Sequence, residues 1–261
     1  MASRLFVPEA FAPGDLVTLP EPASRHVQVL RLQPGAALTL FNGSDGAEWT
    51  SEIVRIGRRE VEVRIGAARP VDRELDCAVT LAVGMPANDR MDALVEKAGE
   101  LGAAAIQPLV CERSVLRLSG ERAEARRVHW QGVAAAASEQ CGRARVTAIQ
   151  TLRSLTSWLD EVRREPERRL VVLSLSGSAL AAQPFGGDGA AAAGSEAFVL
   201  SGPEGGLSAG EEAAALAAGF VPVSLGPRTL RADTAPIALL AWLALRDAST
   251  ARRGPMSGDT R

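Results

Sequence analysis

The chain has 261 residues, 46% of them hydrophobic, with a formal net charge of −2, which is enough apolar material for one large or two smaller domains. The near-neutral balance excludes an indiscriminate polyanion binder, whose affinity would come from many neutralised phosphates. No apolar run reaches the roughly 18 residues of a membrane span, and Met1–Pro8 lacks the apolar stretch of a signal peptide, which points to the cytoplasm.

Residues 1–70 read as short strands broken by turns. Asp15–Leu19, Ala37–Phe41, Trp49–Val54 and Glu60–Ile65 alternate apolar and polar residues, as half-buried strands do. Asn42-Gly43-Ser44-Asp45-Gly46 is a hairpin turn signal between the second and third. The expectation is a small β-barrel, followed by a polar linker at 71–76 that begins just after Pro70.

From residue 77 the rhythm becomes strand then helix. Cys77–Val83 is a continuous apolar run suited to a strand buried on both faces. Met91, Leu94, Val95, Ala98 and Leu101 fall at helical spacing, and Gly102 ends that helix before a strand at Ala104–Val110. Helices are expected at Glu121–Gln140, Ser154–Arg164 and about Ala235–Ala248, and strands at Leu170–Leu175, Ala197–Ser201 and Val221–Leu225. Such alternation implies an α/β domain with a mostly parallel sheet over 77–248. Gln183–Ser195 reads as a mobile loop and 249–261 as a disordered tail.

Two loops each follow a strand and precede a helix: Ser201-Gly202-Pro203-Glu204-Gly205-Gly206-Leu207-Ser208 and Leu225-Gly226-Pro227-Arg228-Thr229-Leu230-Arg231. Their glycines permit positive φ and close backbone approach, and the helix that follows offers unpaired N–H groups. Ser208 with Glu211 forms a capping-box pattern, and Gly219 ends the helix it opens. Two such loops at the carboxyl ends of strands point to one ligand crevice. Neither a P-loop nor a G-x-G-x-x-G is present, and no H-E-x-x-H or G-x-S-x-G supports a hydrolase. The cysteines, Cys77, Cys111 and Cys141, are far apart, and with only two histidines in the chain they suit small buried hydrophobes better than a metal site. Lys97 is the only lysine, so arginine carries nearly all the positive charge, the side chain suited to bidentate phosphate contact.

Gly202–Gly206, Leu225–Arg228 and Leu230-Arg231 resemble motifs of the RsmE family of 16S rRNA uridine-N3 methyltransferases, within the SPOUT class. Arg25-His26-Val27, Val29-Leu30-Arg31, Pro34-Gly35, Glu96–Gly102, Glu112–Ser114 and Glu139–Arg143 are similar to further motifs of that family, in the same order. The resemblance implies an N-terminal PUA-like β-barrel, a trefoil-knotted SPOUT domain, a homodimer and S-adenosylmethionine as cofactor. It implies a cofactor site at Leu175, Leu200, Ser201, Gly202, Glu204, Gly205, Gly206, Leu225, Gly226, Leu230, Thr234 and Ala235. Arg228 or Arg231 is expected to face the uracil, with Glu204 or Asp233 as the candidate base. Arg25, His26, Arg31, Arg113, Arg117 and Arg143 are candidates for holding RNA of the small ribosomal subunit.

Two departures stand out: Ala232-Asp233 replaces a common Thr-Glu, and Ser176 stands where a His is frequent. Two other readings share these features. A SPOUT ribose 2′-O-methyltransferase would use the same loops, and an inactive RNA-binding module would keep the fold alone.

Overall fold

A computed structural model gives the fold and describes residues 3–87, 89–162, 168–179 and 195–251. The chain divides into two units, Met1–Glu74 with Ala135–Val146, and Leu75–Ala134 with Thr147–Arg261.

The first unit holds β1 (Ser3–Phe6), β2 (Leu16–Thr18), α1 (Glu21–Val29), β3 (Ala37–Phe41), β4 (Ala47–Ile56) and β5 (Val61–Pro70). They form a mixed sheet of order β1-β3-β4-β5-β2. Val61, Val63 and Ile65 of β5 are buried, and Leu38 and Leu40 of β3 join them in the same core, so the period-two reading is realised. The hairpin turn forms as expected: Asn42 Oδ1 accepts the Ser44 and Asp45 amides at 3.0 Å each, and Gly43 and Gly46 take φ of 79° and 70°.

Two elements of this unit escape the sequence reading. β1 has four residues and is defined by parallel pairing with β3, a long-range fact that local pattern does not carry. α1 shows only Ala23 and Val27 as a buried apolar i,i+4 pair, too short a stripe for a periodic signal.

The second unit holds β6 (Cys77–Gly84), α2 (Asp89–Glu100), β7 (Ala105–Val110), the part of α3 (Gly120–Cys141) before Ala135, β8 (Ala148–Ile149), β9 (Arg153–Ser154), α4 (Leu155–Val162), β10 (Arg169–Ala179), β11 (Ser195–Ser201), α5 (Ala209–Ala217), β12 (Val221–Ser224) and α6 (Thr234–Ala251). Seven strands form a parallel sheet of order β12-β10-β11-β6-β7-β8, with β9 extending the edge made by β8 along β7. The sheet explains the apolar run of β6, which lies between β11 and β7.

The consequential departure from chain order is β10, which sits between β11 and β12. Neighbouring strands lie about 4.8 Å apart, so the exits of β11 and β12 come within roughly 10 Å of one another, either side of β10. Both glycine loops therefore open over the end of one strand.

The expected tail at 249–261 is corrected at its start, because α6 continues to Ala251. Residues 252–261, and 183–194 of the expected mobile loop, lie outside the described residues, whereas Ser195 opens β11. By packing, Ala135–Val146 groups with the first unit. Arg4 donates to the Ser138 and Arg143 carbonyls at 2.6 and 2.7 Å, and the Phe6 amide donates to Glu139 at 2.7 Å. No local pattern reveals such a return of the chain.

Candidate active site

The first glycine loop leaves β11 at Ser201 and enters α5 behind the Ser208 cap. Its shape follows from three contacts. Gly206 N–H donates to Pro203 O at 2.8 Å with Gly206 at φ 70°, closing a tight turn. Pro203 lies against Gly84 at the end of β6, where any Cβ would stand 2.5 Å from the proline ring. Arg113 donates to the Gly205 and Leu207 carbonyls at 3.0 and 3.3 Å.

The capping box is present and reaches further than its own helix. Glu211 accepts the Ser208 amide at 2.9 Å with one oxygen and the Glu112 amide at 2.8 Å with the other. A single carboxylate thus fixes the helix start and the segment after β7. Cys111 is buried beside this carboxylate, and burial first, then the Glu211 charge, push its thiol up to about 12.

The second loop leaves β12 at Ser224, whose hydroxyl accepts the Gly226 amide at 3.3 Å while Gly226 takes φ of 109°. Arg231 O then accepts the Thr234 and Ala235 amides at 3.0 and 3.1 Å, which starts α6. Arg228, Thr229 and Arg231 between these points are exposed.

A third segment, present in the sequence argument only through Leu175 and Ser176, completes the wall. The β10–β12 pairing breaks between Leu173 and Ser178, both of which oppose Val223, so residues 174–177 bulge from the sheet. Gly177 allows it, because a Cβ there would lie 2.6 Å from the Val223 nitrogen.

These segments enclose a cleft of about 780 Å³. Leu175, Ser201, Gly202, Glu204, Gly205, Gly206, Leu225, Gly226, Leu230 and Ala235 line it, together with Arg228 and Arg231. Leu200, Asp233 and Thr234 do not. Leu200 is fully buried in the core, and one Asp233 oxygen is buried with no hydrogen-bond partner. Pro236 explains the latter: it occupies the position whose N–H a capping Asp233 would receive.

Glu204 is held where it stands. Its carboxylate accepts the Ala87 amide at 2.8 Å and faces Arg90 at 3.6 Å. Arg90 and Glu212 also line the cleft and were missed by sequence reasoning, for no motif marks either.

The candidate RNA contacts separate by burial. Arg25, His26 and Arg31 are exposed, on α1 and just after it, and Arg117 is exposed in the second unit. Arg113 is engaged by the glycine loop. Arg143 is corrected: it is 3% exposed and ion-paired with Glu74 at 2.5 Å, so it faces the interior of the first unit. Lys97 bridges Glu96 and Glu100 at 2.8 Å each, relieving the repulsion between those carboxylates on α2. His129 and Trp130 both meet Asp92, with Trp130 buried. Among the described residues no group of three metal-ligating side chains exists.

Comparison with known proteins matches these features. An RNA methyltransferase domain model matches residues 73–244, and an RNA methyltransferase PUA domain model matches residues 19–66. The Ribosomal RNA small subunit methyltransferase E of Synechocystis sp. is 30% identical over 244 residues, spanning 93% of this chain and 77% of the relative. Its counterpart in Bacillus subtilis is 29% identical, over 81% of this chain and 82% of the relative. The crystal structure of the Neisseria gonorrhoeae enzyme of the same name, bound to S-adenosyl methionine, is 33% identical with a TM-score of 0.83, covering 94% of this chain and 98% of that one. A PUA-type unit, an all-parallel methyltransferase sheet and a cleft built by two glycine loops thus occur together, and the chain belongs to the ribosomal RNA small subunit methyltransferase E family.

Proposed function

We propose that this protein transfers a methyl group from S-adenosylmethionine to N3 of a specific uridine in the 16S rRNA of the small ribosomal subunit. The observation that carries the reading is the single cleft at which both glycine loops and the β10 bulge meet. Its donor set fits the cofactor: glycine-loop backbone for the adenine edges, a carboxylate for hydroxyls, and about 780 Å³ of space.

Bound S-adenosylmethionine supplies an electrophilic methyl group on a sulfonium. The chain's own task is to hold the uracil in line and stabilise the negative charge that spreads onto O2 and O4 as the N3 proton leaves. Arg228 and Arg231, both exposed and lining the cleft, take that charge in this reading. Glu204 acts as a tether for the first loop in this reading, because the Ala87 amide and Arg90 both hold its Oε1. Asp233, off the cleft, is assigned no proton transfer.

Arg25, His26, Arg31 and Arg117 hold RNA in this reading. The family resemblance further supports a trefoil knot, a homodimer and a cytoplasmic location; among the described residues no helix is long and apolar enough to cross a membrane. The ribose 2′-O reading gains nothing from the PUA-type unit.

The test is mapping of methylated nucleotides in ribosomal RNA from a strain lacking the protein, with and without the Arg231→Ala variant. Loss of one N3-methyluridine, restored by the wild type but not by Arg231→Ala, is the expected result. Loss of a 2′-O-methyl mark instead, or no loss, overturns it.

A further inference from the structure

Glu212 is the cleft residue that neither glycine loop accounts for. It lies on the first turn of α5, its amide bonded to Ser208 O at 2.9 Å. One carboxylate oxygen, Oε1, accepts Ser174 Oγ at 2.6 Å and lies 3.5 Å from Ser176 Oγ, and the two hydroxyls are 2.8 Å apart. Both serines belong to the β10 bulge. The other oxygen, Oε2, makes no hydrogen bond among the described residues. Glu204 is the second carboxylate lining the cleft; Ala87 and Arg90 both engage its Oε1, and Arg90 gives it a cation that Glu212 lacks among the described residues. Glu212 is therefore the cleft carboxylate with an open oxygen and no cation paired to it among the described residues.

A carboxylate oxygen only accepts, so its partner must bring donors. S-adenosylmethionine offers three kinds: the α-ammonium, the adenine amino group and the vicinal ribose hydroxyls. The ammonium sits one carbon from the cofactor's own carboxylate, which would need a cation beside it. Among the described residues the hydrogen-bonding cluster around Glu212 contains serine hydroxyls and no cationic side chain. The adenine amino group adjoins ring acceptors that call for N–H donors, which glycine-loop backbone supplies and Glu212 does not. A neutral diol with two O–H groups matches a carboxylate without a companion cation. Leu175, 63% exposed between the two serines, gives the sugar an apolar surface.

We propose that Glu212, oriented by Ser174 and Ser176, recognises the ribose hydroxyl pair of the cofactor. This rests on the methyl-donor reading above and adds a residue that the glycine-loop motifs do not contain.

The test is titration calorimetry on the full chain, wild type and Glu212→Gln, with S-adenosylhomocysteine, 5′-methylthioadenosine and 2′,3′-dideoxy-5′-methylthioadenosine. Loss of a charge-assisted hydrogen bond should weaken the first two ligands alike, by about 10- to 100-fold, and leave the dideoxy ligand equally bound by both proteins. Weakening of S-adenosylhomocysteine alone would place Glu212 at the amino-acid end and overturn the assignment. Unchanged binding of both would leave Glu212 a pin for the bulge and nothing more. The wild type decides the matter even where Glu212→Gln does not fold: dideoxy binding as tight as that of methylthioadenosine rejects a diol site. Failure of wild type to bind S-adenosylhomocysteine would be a different result, removing the methyl-donor reading and this proposal with it.

Discussion

Glu204 Oε1 accepts the Ala87 amide at 2.8 Å, joining the first glycine loop to the approach of α2 across 117 residues of sequence. The bond separates a tether from a base. Glu204→Gln keeps an oxygen for Ala87 and loses only the ion pair to Arg90, whose half-exposed partners contribute little. Turnover within about threefold of wild type is expected for Glu204→Gln, against a loss on the order of tenfold for Glu204→Ala, where a hydrogen bond of about 1.4 kcal/mol goes. Single-turnover methylation with both variants measures it. A collapse of the glutamine variant with cofactor affinity intact would make Glu204 the base.

The glycines of the site do different work, and stability separates them. Gly206 takes φ of 70° with nothing within 4 Å of a would-be Cβ, so Gly206→Ala costs only the backbone strain, about 1 kcal/mol or a few degrees of Tm. Gly84→Ala instead drives a Cβ into Pro203, to 2.5 Å from its ring and 2.6 Å from its nitrogen. Backbone cannot swing aside like a side-chain tip. The expected order is a larger fall in Tm and a larger loss of cofactor affinity for Gly84→Ala; thermal unfolding with and without S-adenosylhomocysteine reads both.

What the sequence disclosed follows from how local each signal is. The capping box at Ser208–Glu211 and the period-two burial of β5 arise within a few residues, and both are found where the pattern places them. The insertion of β10 between β11 and β12 is a matter of sheet order, invisible to any window, yet it makes two loops one cleft. Glu212 is silent for the same reason: its meaning depends on Ser174 and Ser176, on another strand. Arg143 shows the converse failure. Its motif was legible, but charge alone does not distinguish a buried ion pair with Glu74 from a surface that meets phosphate.

Cys111 makes alkaline stability informative. Burial and Glu211 push its thiol up to about 12 from an ordinary 9.0, so the folded chain keeps a proton that the unfolded chain releases. Rising pH therefore works against the fold: the stability linked to this proton is fully present below pH 9 and declines as pH rises toward 12, by up to about 1.4 kcal/mol per unit. The chain has no tyrosine and one lysine, so few other groups titrate between pH 9 and 10. Urea midpoints at those two values should fall for wild type and fall less for Cys111→Ala. Equal slopes would show that this thiol is not the source.

Arg25 and Arg31 can be told from Arg143 by measuring RNA affinity and stability together. The first two are exposed, so Arg25→Ala and Arg31→Ala should each weaken binding to small-subunit RNA, reduce the salt slope by about 1 per lost phosphate contact, and leave Tm unchanged. Arg143 is 3% exposed and its removal takes the partner from the Glu74 carboxylate, which is 23% exposed, so a loss of roughly 1–3 kcal/mol is expected. Filter binding at two salt concentrations beside thermal unfolding gives both readouts. An Arg143→Ala protein that melts like wild type but loses RNA affinity would return Arg143 to the RNA-facing set, because an interior ion pair cannot fail in binding without first failing in stability.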